Sequence, residues 1–289
     1  ENGVAAYTET GTWANKAIKE AKHFGNVAVL ASSKEQNYTF IPKGYKIPKD
    51  AKYLHLTSNN TIFGTQLHKF PKSPAPLVCD MSSDFLSRPF DPKPFGLIYA
   101  GAQKNLGPAG VNLVIVNKNI LGKIKRAIPT MMDYRNHIQE KSMLNTPPVF
   151  AVYVCLLTLR WIKEEGGIGE MEKRNAEKAA LLYNEIDRNS LFRGTVTEED
   201  RSSMNACFVM DNEDMEAQFL AYAKANNNKW SDFQASDYNT NSQPYYVLLS
   251  PGEIELATPQ GAEYDVELFK AFLYTGLDKF NSLQKASRE

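Results

Sequence analysis

Apolar residues in the first half of the chain fall in short clusters rather than long runs. Residues 27–31, 53–57, 77–79, 97–100 and 113–116 are each of strand length. Each is followed within a residue or two by Ser, Asn, Gly or Asp. Clean apolar–polar alternation is missing from them. Short strands of this kind predict a mostly parallel sheet covered on both faces. Residues 13–23 instead place Ala14, Ala17, Ile18 and Ala21 near one helical face. Strands alternating with helix predict an α/β fold.

The second part is more helical. Residues 150–165 and 169–186 carry apolar positions at helical spacing, with Gly166-Gly167 between them. Residues 206–210 read as a strand and 214–225 as a helix, ending at the joint Asn226-Asn227-Asn228. Beyond it, 230–242 is polar, 245–249 is a strand entered from Pro244, and 266–280 is an amphipathic helix. The expected segments are 1–148, 149–227 and 228–289.

Composition narrows the function classes. The chain has 289 residues, 43% of them apolar, enough to bury a sizeable core. Lys+Arg and Asp+Glu both total 33, so no net basic field invites nucleic acid or anionic lipid. No apolar run approaches the ~18 residues of a membrane span. Glu1-Asn-Gly-Val-Ala-Ala6 has neither the charged nor the apolar region of a signal peptide. The first residue is not Met, which leaves a fragment, a processed form or a trimmed chain open. Cys79, Cys155 and Cys207 lie far apart with no CxxC or Cys/His spacing. They read as buried thiols of a cytoplasmic protein, with no metal site. His23, His55, His68 and His137 are scattered and read as structural or surface residues.

Asp80 and Lys104 carry the candidate chemistry. Each follows a predicted strand, in Pro76-Leu-Val-Cys-Asp80 and Gly96-Leu-Ile-Tyr-Ala-Gly-Ala-Gln-Lys104. Ligands of open α/β sheets sit outside the carboxyl ends of strands, so both side chains are candidates for one cleft. A lysine among small residues can be desolvated, which frees its amine to form an imine. An aspartate in the same cleft can hold a pyridinium nitrogen protonated. Taken singly, each has a plainer reading: a strand-end Asp caps a turn, and a Lys is a solvated surface charge.

The wider context is more specific. Gly11-Thr-Trp13, Ser58-Asn-Asn-Thr61, Cys79-Asp-Met-Ser-Ser-Asp84, Tyr99-Ala-Gly-Ala-Gln-Lys-Asn-Leu-Gly-Pro-Ala-Gly110 and Asn145-Thr-Pro-Pro148 occur in this order. Over about residues 7–225 the chain closely resembles the phosphoserine aminotransferase family, fold-type I pyridoxal-phosphate enzymes of class V. The resemblance implies Lys104 as the cofactor-bearing residue, through an aldimine, and as proton shuttle. It implies Asp80 at the pyridine nitrogen, Trp13 stacked on the ring and Thr61 near the ring hydroxyl. Ser82 and Gln103 would hold the cofactor phosphate. Asn145 and Thr146 would reach the phosphate of a neighbouring subunit, implying a homodimer. The implied reaction moves an amino group between glutamate and 3-phosphohydroxypyruvate, with O-phospho-L-serine and 2-oxoglutarate as products, in a ping-pong cycle. Beside these roles, Trp13 also fits a core anchor, Thr61 a turn residue, Ser82 a cap and Asn145–Pro148 a helix start.

The chain departs from the family pattern in two places. The family's N-terminal His-Arg pair and Gly-rich phosphate turn are not found here, an N-terminal truncation of the fold. No Gly-His-Arg stretch follows Met210, and the only later arginine is Arg288. Recognition of a phosphorylated acid rests on bidentate arginines, so a cofactor-binding but catalytically impaired fragment or fusion is the alternative expectation. Residues 228–289, with Trp230-Ser-Asp-Phe-Gln and a Pro-entered strand, resemble the C-terminal half of a thioredoxin-like domain. The expected fold is thus α/β: a mostly parallel fold-type I sheet, a helical α+β small-domain portion and a short thioredoxin-like appendix.

Overall fold

In the computed structural model, all five apolar clusters of the first part form strands, although α-helix comes between strands there only at two points. The elements are β1 (Val4–Glu9), α1 (Thr12–Ala21), β2 (Asn26–Ser32), β3 (Tyr53–Thr57), the short hairpin β4 (Asn59–Asn60) and β5 (Thr65–Gln66), then β6 (Leu77–Asp80) and β7 (Phe95–Gly101). One helical turn, α2 (Ala102–Asn105), leads to β8 (Asn112–Val116). There follow α3 (Tyr134–Gln139), α4 (Val149–Glu164), α5 (Ile168–Arg188), β9 (Arg193–Gly194), β10 (Phe208–Val209), α6 (Glu213–Asn226), β11 (Tyr246–Leu249) and β12 (Glu255–Gln260). The structure describes residues 3–124, 126–226, 246–249 and 255–260, with positions 271, 274, 275, 278, 279 and 282.

The main sheet has the order β2-β1-β3-β6-β7-β8. Its pairings are parallel except the last, where β8 runs antiparallel to β7. The apolar clusters do not encode that reversal; it follows because the link between β7 and β8 is too short for a crossover. β1 was also not read in the sequence. Its Val-Ala-Ala-Tyr-Thr-Glu segment has little of the β-branched bulk that marks a strand. It is nevertheless central, paired on both sides.

Register decides which residues form the core. Ala6, Leu54, Leu56, Leu77, Cys79, Ile98 and Ala100 lie on one sheet face and are almost wholly buried. Phe85, Leu106, Cys155 and Ile162 pack into the same cluster, which brings α4 beneath the sheet. The opposite face carries Tyr7, His55, Thr57, Asp80 and Tyr99 through successive register partners.

The two long helices match their predicted spans within two residues at either end. Gly166 and Gly167 both have positive φ (105° and 82°), a conformation that favours glycine and breaks α4 from α5. Arg174 of α5 reaches Glu165 at 2.6 Å and Glu170 at 2.9 Å, tying the turn. The strand expected at 206–210 is reduced to Phe208–Val209, paired antiparallel with β9.

The chain forms two compact units, Glu1–Asp211 and Asn212–Glu289. In the second, α6 is helical as expected, and β11 pairs antiparallel with β12, a strand the sequence reading did not anticipate. The 230–242 segment and the turn at Pro244 lie outside the described residues. Of the helix expected at 266–280, positions 271, 274, 275, 278 and 279 are helical. Among the described residues no helix is long and apolar enough to cross a membrane, and no His/Cys/Asp/Glu group is arranged to hold a metal ion.

Candidate active site

From β1 the chain crosses through α1 to β2 on one side, then returns to place β3 on the other side of β1. The strand order therefore reverses between β1 and β3. Their carboxyl ends diverge into loops at that point, where open α/β sheets bind ligands. The segment after β1 carries Gly11 and, at the start of α1, Trp13; the segment after β3 carries Ser58–Thr61, including β4.

Polar side chains fasten these loops together. Asn60 Nδ2 donates to Thr10 Oγ1 at 3.3 Å and to Thr65 Oγ1 at 3.0 Å. A Cβ at Gly11 would come within 2.6 Å of Asn60 Oδ1, so only glycine allows the loops to lie this close. Glu9, at the end of β1, accepts from Asn15 of α1, from Ser32 at 2.9 Å and from Tyr38 at 3.4 Å. The start of α1, and with it Trp13, is anchored to the sheet in this way.

Lys104 arrives from the other side on α2. Asn105 Nδ2 donates to the Phe85 carbonyl at 2.6 Å, and Ala102 N donates to the Val111 carbonyl at 2.9 Å. Gly107 follows the turn, and a Cβ there would lie 2.6 Å from Cys155 Sγ of α4. The lysine turn is therefore seated on α4. Lys104 Nζ donates to Thr61 Oγ1 at 3.3 Å, and Trp13 Nε1 donates to the same oxygen at 3.3 Å. The Lys104 ammonium also lies 4.9 Å from the centre of the Trp13 ring. Trp13 is 39% exposed, leaving aromatic surface open beside the amine.

Asp80 ends β6 on the same edge of the sheet. Its Oδ1 accepts from Ser82 N at 2.9 Å, while Ser82 Oγ accepts from Gly101 N at 3.1 Å. Gln103 folds its amide back over Gly101. The structure thus gathers Trp13, Thr61, Asp80, Ser82, Gln103 and Lys104 at the carboxyl ends of β1, β3, β6 and β7. Asn145 and Thr146 stand apart, exposed just before α4, with no hydrogen bond to this cluster among the described residues.

Several supporting residues escaped the sequence reading. Asn205 accepts from Asn59 at 2.9 Å and donates to the Thr61 carbonyl at 3.1 Å, across a separation of some 144 positions. Ser202 and Ser203 bond Asn59 and Gln66 in the same belt. Asp84 accepts from Ser58 and from Gln66; burial raises its pKa despite those bonds and nearby Arg88. No local pattern marks these residues, because their partners are distant in sequence.

A sequence profile of the aminotransferase class-V family matches residues 1–225. The chain belongs to the class-V aminotransferase family. It is 64% identical over 212 residues to phosphoserine aminotransferase of Flavobacterium psychrophilum, an alignment covering 73% of this chain and 60% of that protein. It is 60% identical over 226 residues to the Parabacteroides distasonis phosphoserine aminotransferase, covering 78% and 64%. Among solved structures, phosphoserine aminotransferase from Bacillus circulans subsp. alkalophilus superposes with a TM-score of 0.75 at 44% identity, covering 78% of this chain and 63% of that one. The pyridoxal-phosphate-bound enzyme of Trichomonas vaginalis gives 0.73 at 36%, covering 78% and 66%. The chain spans less than two thirds of the length of the two curated relatives. The class-V match agrees with the family resemblance read from the motifs and with the fold-type I sheet. It ends at residue 225, so it does not extend to the tail.

Proposed function

We propose that this chain is the lysine-bearing part of a phosphoserine aminotransferase that uses pyridoxal 5'-phosphate. The observation that carries the reading is the convergence of Lys104, Thr61 and Trp13, with Asp80 on the same edge of the sheet. These residues fit the cofactor: a lysine amine, an open aromatic surface and a carboxylate at a strand end. When bound, pyridoxal phosphate supplies an electron sink for charge developing at the substrate's α-carbon.

Lys104 holds the cofactor through its amine and carries the α-proton on Nζ. Trp13 covers the ring, and Thr61 Oγ1 orients both the amine and the indole. Asp80 keeps a ring nitrogen protonated by charge complementarity. Ser82 and Gln103 bind the phosphate, joined in a homodimer by Asn145 and Thr146 from the partner subunit. Their exposure before α4 suits a role across a subunit interface. The substrates are small molecules: O-phospho-L-serine with 2-oxoglutarate, or glutamate with 3-phosphohydroxypyruvate in serine biosynthesis. We assign the protein to the cytoplasm. Residues 1–148 form the cofactor-binding segment, 149–227 the small-domain portion and 228–289 a separate appendix.

Adding pyridoxal phosphate to the purified chain tests this. A near-visible absorbance band of a lysine-linked cofactor is expected, and Lys104→Ala abolishes it. An unchanged spectrum refutes the reading. One sequence fact favours a second reading, a chain that binds cofactor without turnover: no Gly-His-Arg stretch follows Met210, and Arg288 is the only later arginine. Steady amino exchange between O-phospho-L-serine and 2-oxoglutarate rules that out.

A further inference from the structure

His55 has no role in the site described so far. It lies in β3, on the sheet face that carries Asp80, and is only 4% exposed. Its Nε2 is 2.9 Å from the Tyr99 hydroxyl, while its Nδ1 is buried without a hydrogen-bond partner. Tyr7 stacks on the ring, 4.7 Å between centroids and 20° from parallel. Tyr99 is the register partner of Asp80 on the neighbouring strand, so the two side chains leave the same face of the sheet side by side. A buried imidazole with an orphaned nitrogen costs stability, so packing alone would be better served by an apolar side chain.

A donation from Tyr99 to Asp80 would fix the direction of the His55–Tyr99 bond as well. An ionised carboxylate only accepts, and a phenol has one hydrogen. Once Tyr99 gives that hydrogen to Asp80, its oxygen can only accept from His55. The imidazole must then be protonated at Nε2 and bare at Nδ1. Nδ1 is the atom found without a partner. Burial favours the neutral ring as well, lowering its pKa to about 4 against the pull of the Asp80 charge.

We propose, resting on the cofactor reading above, that His55 and Tyr99 are positioning residues for Asp80. A donor chain runs from His55 Nε2–H to the Tyr99 hydroxyl and on to the carboxylate. It holds Asp80 as a fixed acceptor at the strand end, where a protonated ring nitrogen would meet it. The chain lies behind the site and touches no substrate.

The test has two arms. The first uses the cofactor-free protein, labelled with nitrogen-15, and reads the imidazole tautomer by proton–nitrogen correlation, with His55→Gln identifying the signal. The Nε2–H tautomer is expected, and Tyr99→Phe should abolish that preference. An Nδ1–H or charged ring, or a pattern unmoved by Tyr99→Phe, overturns the proposal. The second arm titrates pyridoxal phosphate by absorbance. Tyr99→Phe should weaken binding about tenfold, the scale of one hydrogen bond to a charged group. His55→Gln, which keeps an N–H near Nε2, should bind close to wild type, whereas His55→Leu should behave like Tyr99→Phe. A packing role predicts the reverse order of Gln and Leu and sinks the idea. If His55→Leu does not fold, Tyr99→Phe decides. If the wild-type chain binds no cofactor, the functional reading fails, while the tautomer still decides the donor chain.

Discussion

The ammonium of Lys104 rests 4.9 Å from the centre of the Trp13 ring, and both groups donate to the one hydroxyl oxygen of Thr61. The starts of α1 and α2 and the turn after β4 therefore meet at a single oxygen. The arrangement predicts that Trp13 reports on the site. Pyridoxal phosphate should quench its emission. Trp13→Ala should weaken cofactor binding about three- to tenfold, the worth of one aromatic stacking contact. Equal affinity in an absorbance titration would remove Trp13 from the site.

The seat of the lysine turn can be probed without touching the lysine. Gly107 leaves no room for a side chain, since a Cβ would lie 2.6 Å from Cys155 Sγ. Gly107→Ala should destabilise by about 1–3 kcal/mol through overpacking. Cys155→Ala removes the opposing sulfur and should recover part of that loss in the double variant. Additive losses in chemical denaturation would show that the two residues do not press on each other.

Much of this arrangement was legible in the sequence, for identifiable reasons. The strands at 53–57 and 77–79 were visible because buried parallel strands concentrate apolar residues. Lys104 and Asp80 stood out because they end such strands amid a specific local motif. β1 was missed because its alanines carry little strand signal, although pairing with β2 and β3 supplies what its composition lacks. The antiparallel turn of β8 depends on the geometry of the Lys104 loop, which clusters do not encode. His55, Tyr99 and Asn205 were invisible as functional residues for another reason. Their meaning lies in the strand register and in contacts across more than a hundred positions.

Glu9 gives the site a pH dependence in stability. Burial works to raise its pKa, but hydrogen bonds from Asn15, Ser32 and Tyr38 and the charge of Lys34 bring it below the ordinary value. The folded state then binds fewer protons than the unfolded one in the acid range. The resulting stability is present above the unfolded pKa and is lost as pH falls through the depressed folded value. Glu9→Gln should flatten the fall in melting temperature between about pH 5 and pH 3. An acid limb as steep as wild type would mean that Glu9 does not contribute to it.

Asn205 links the 202–205 loop to the cofactor loop through every part of its amide. Its carbonyl oxygen accepts from Asn59 at 2.9 Å and from Ser202 at 3.2 Å, and its nitrogen donates to the Thr61 carbonyl at 3.1 Å. Asn205→Ala leaves the Asn59 amide and the Thr61 carbonyl without this partner, at a cost of about 1–3 kcal/mol. Asn205→Asp keeps the acceptor but turns a negative oxygen toward the Thr61 carbonyl. If the loop contact only stabilises the fold, Ala should be the worse variant and cofactor affinity should follow global stability. If it sets the position of Thr61, Asp should weaken pyridoxal-phosphate binding more than its loss of melting temperature accounts for. The arrangement of bonds predicts the second outcome, because Thr61 Oγ1 is the shared acceptor of Lys104 and Trp13. Parallel measurement of melting temperature and cofactor affinity in the two variants decides between them.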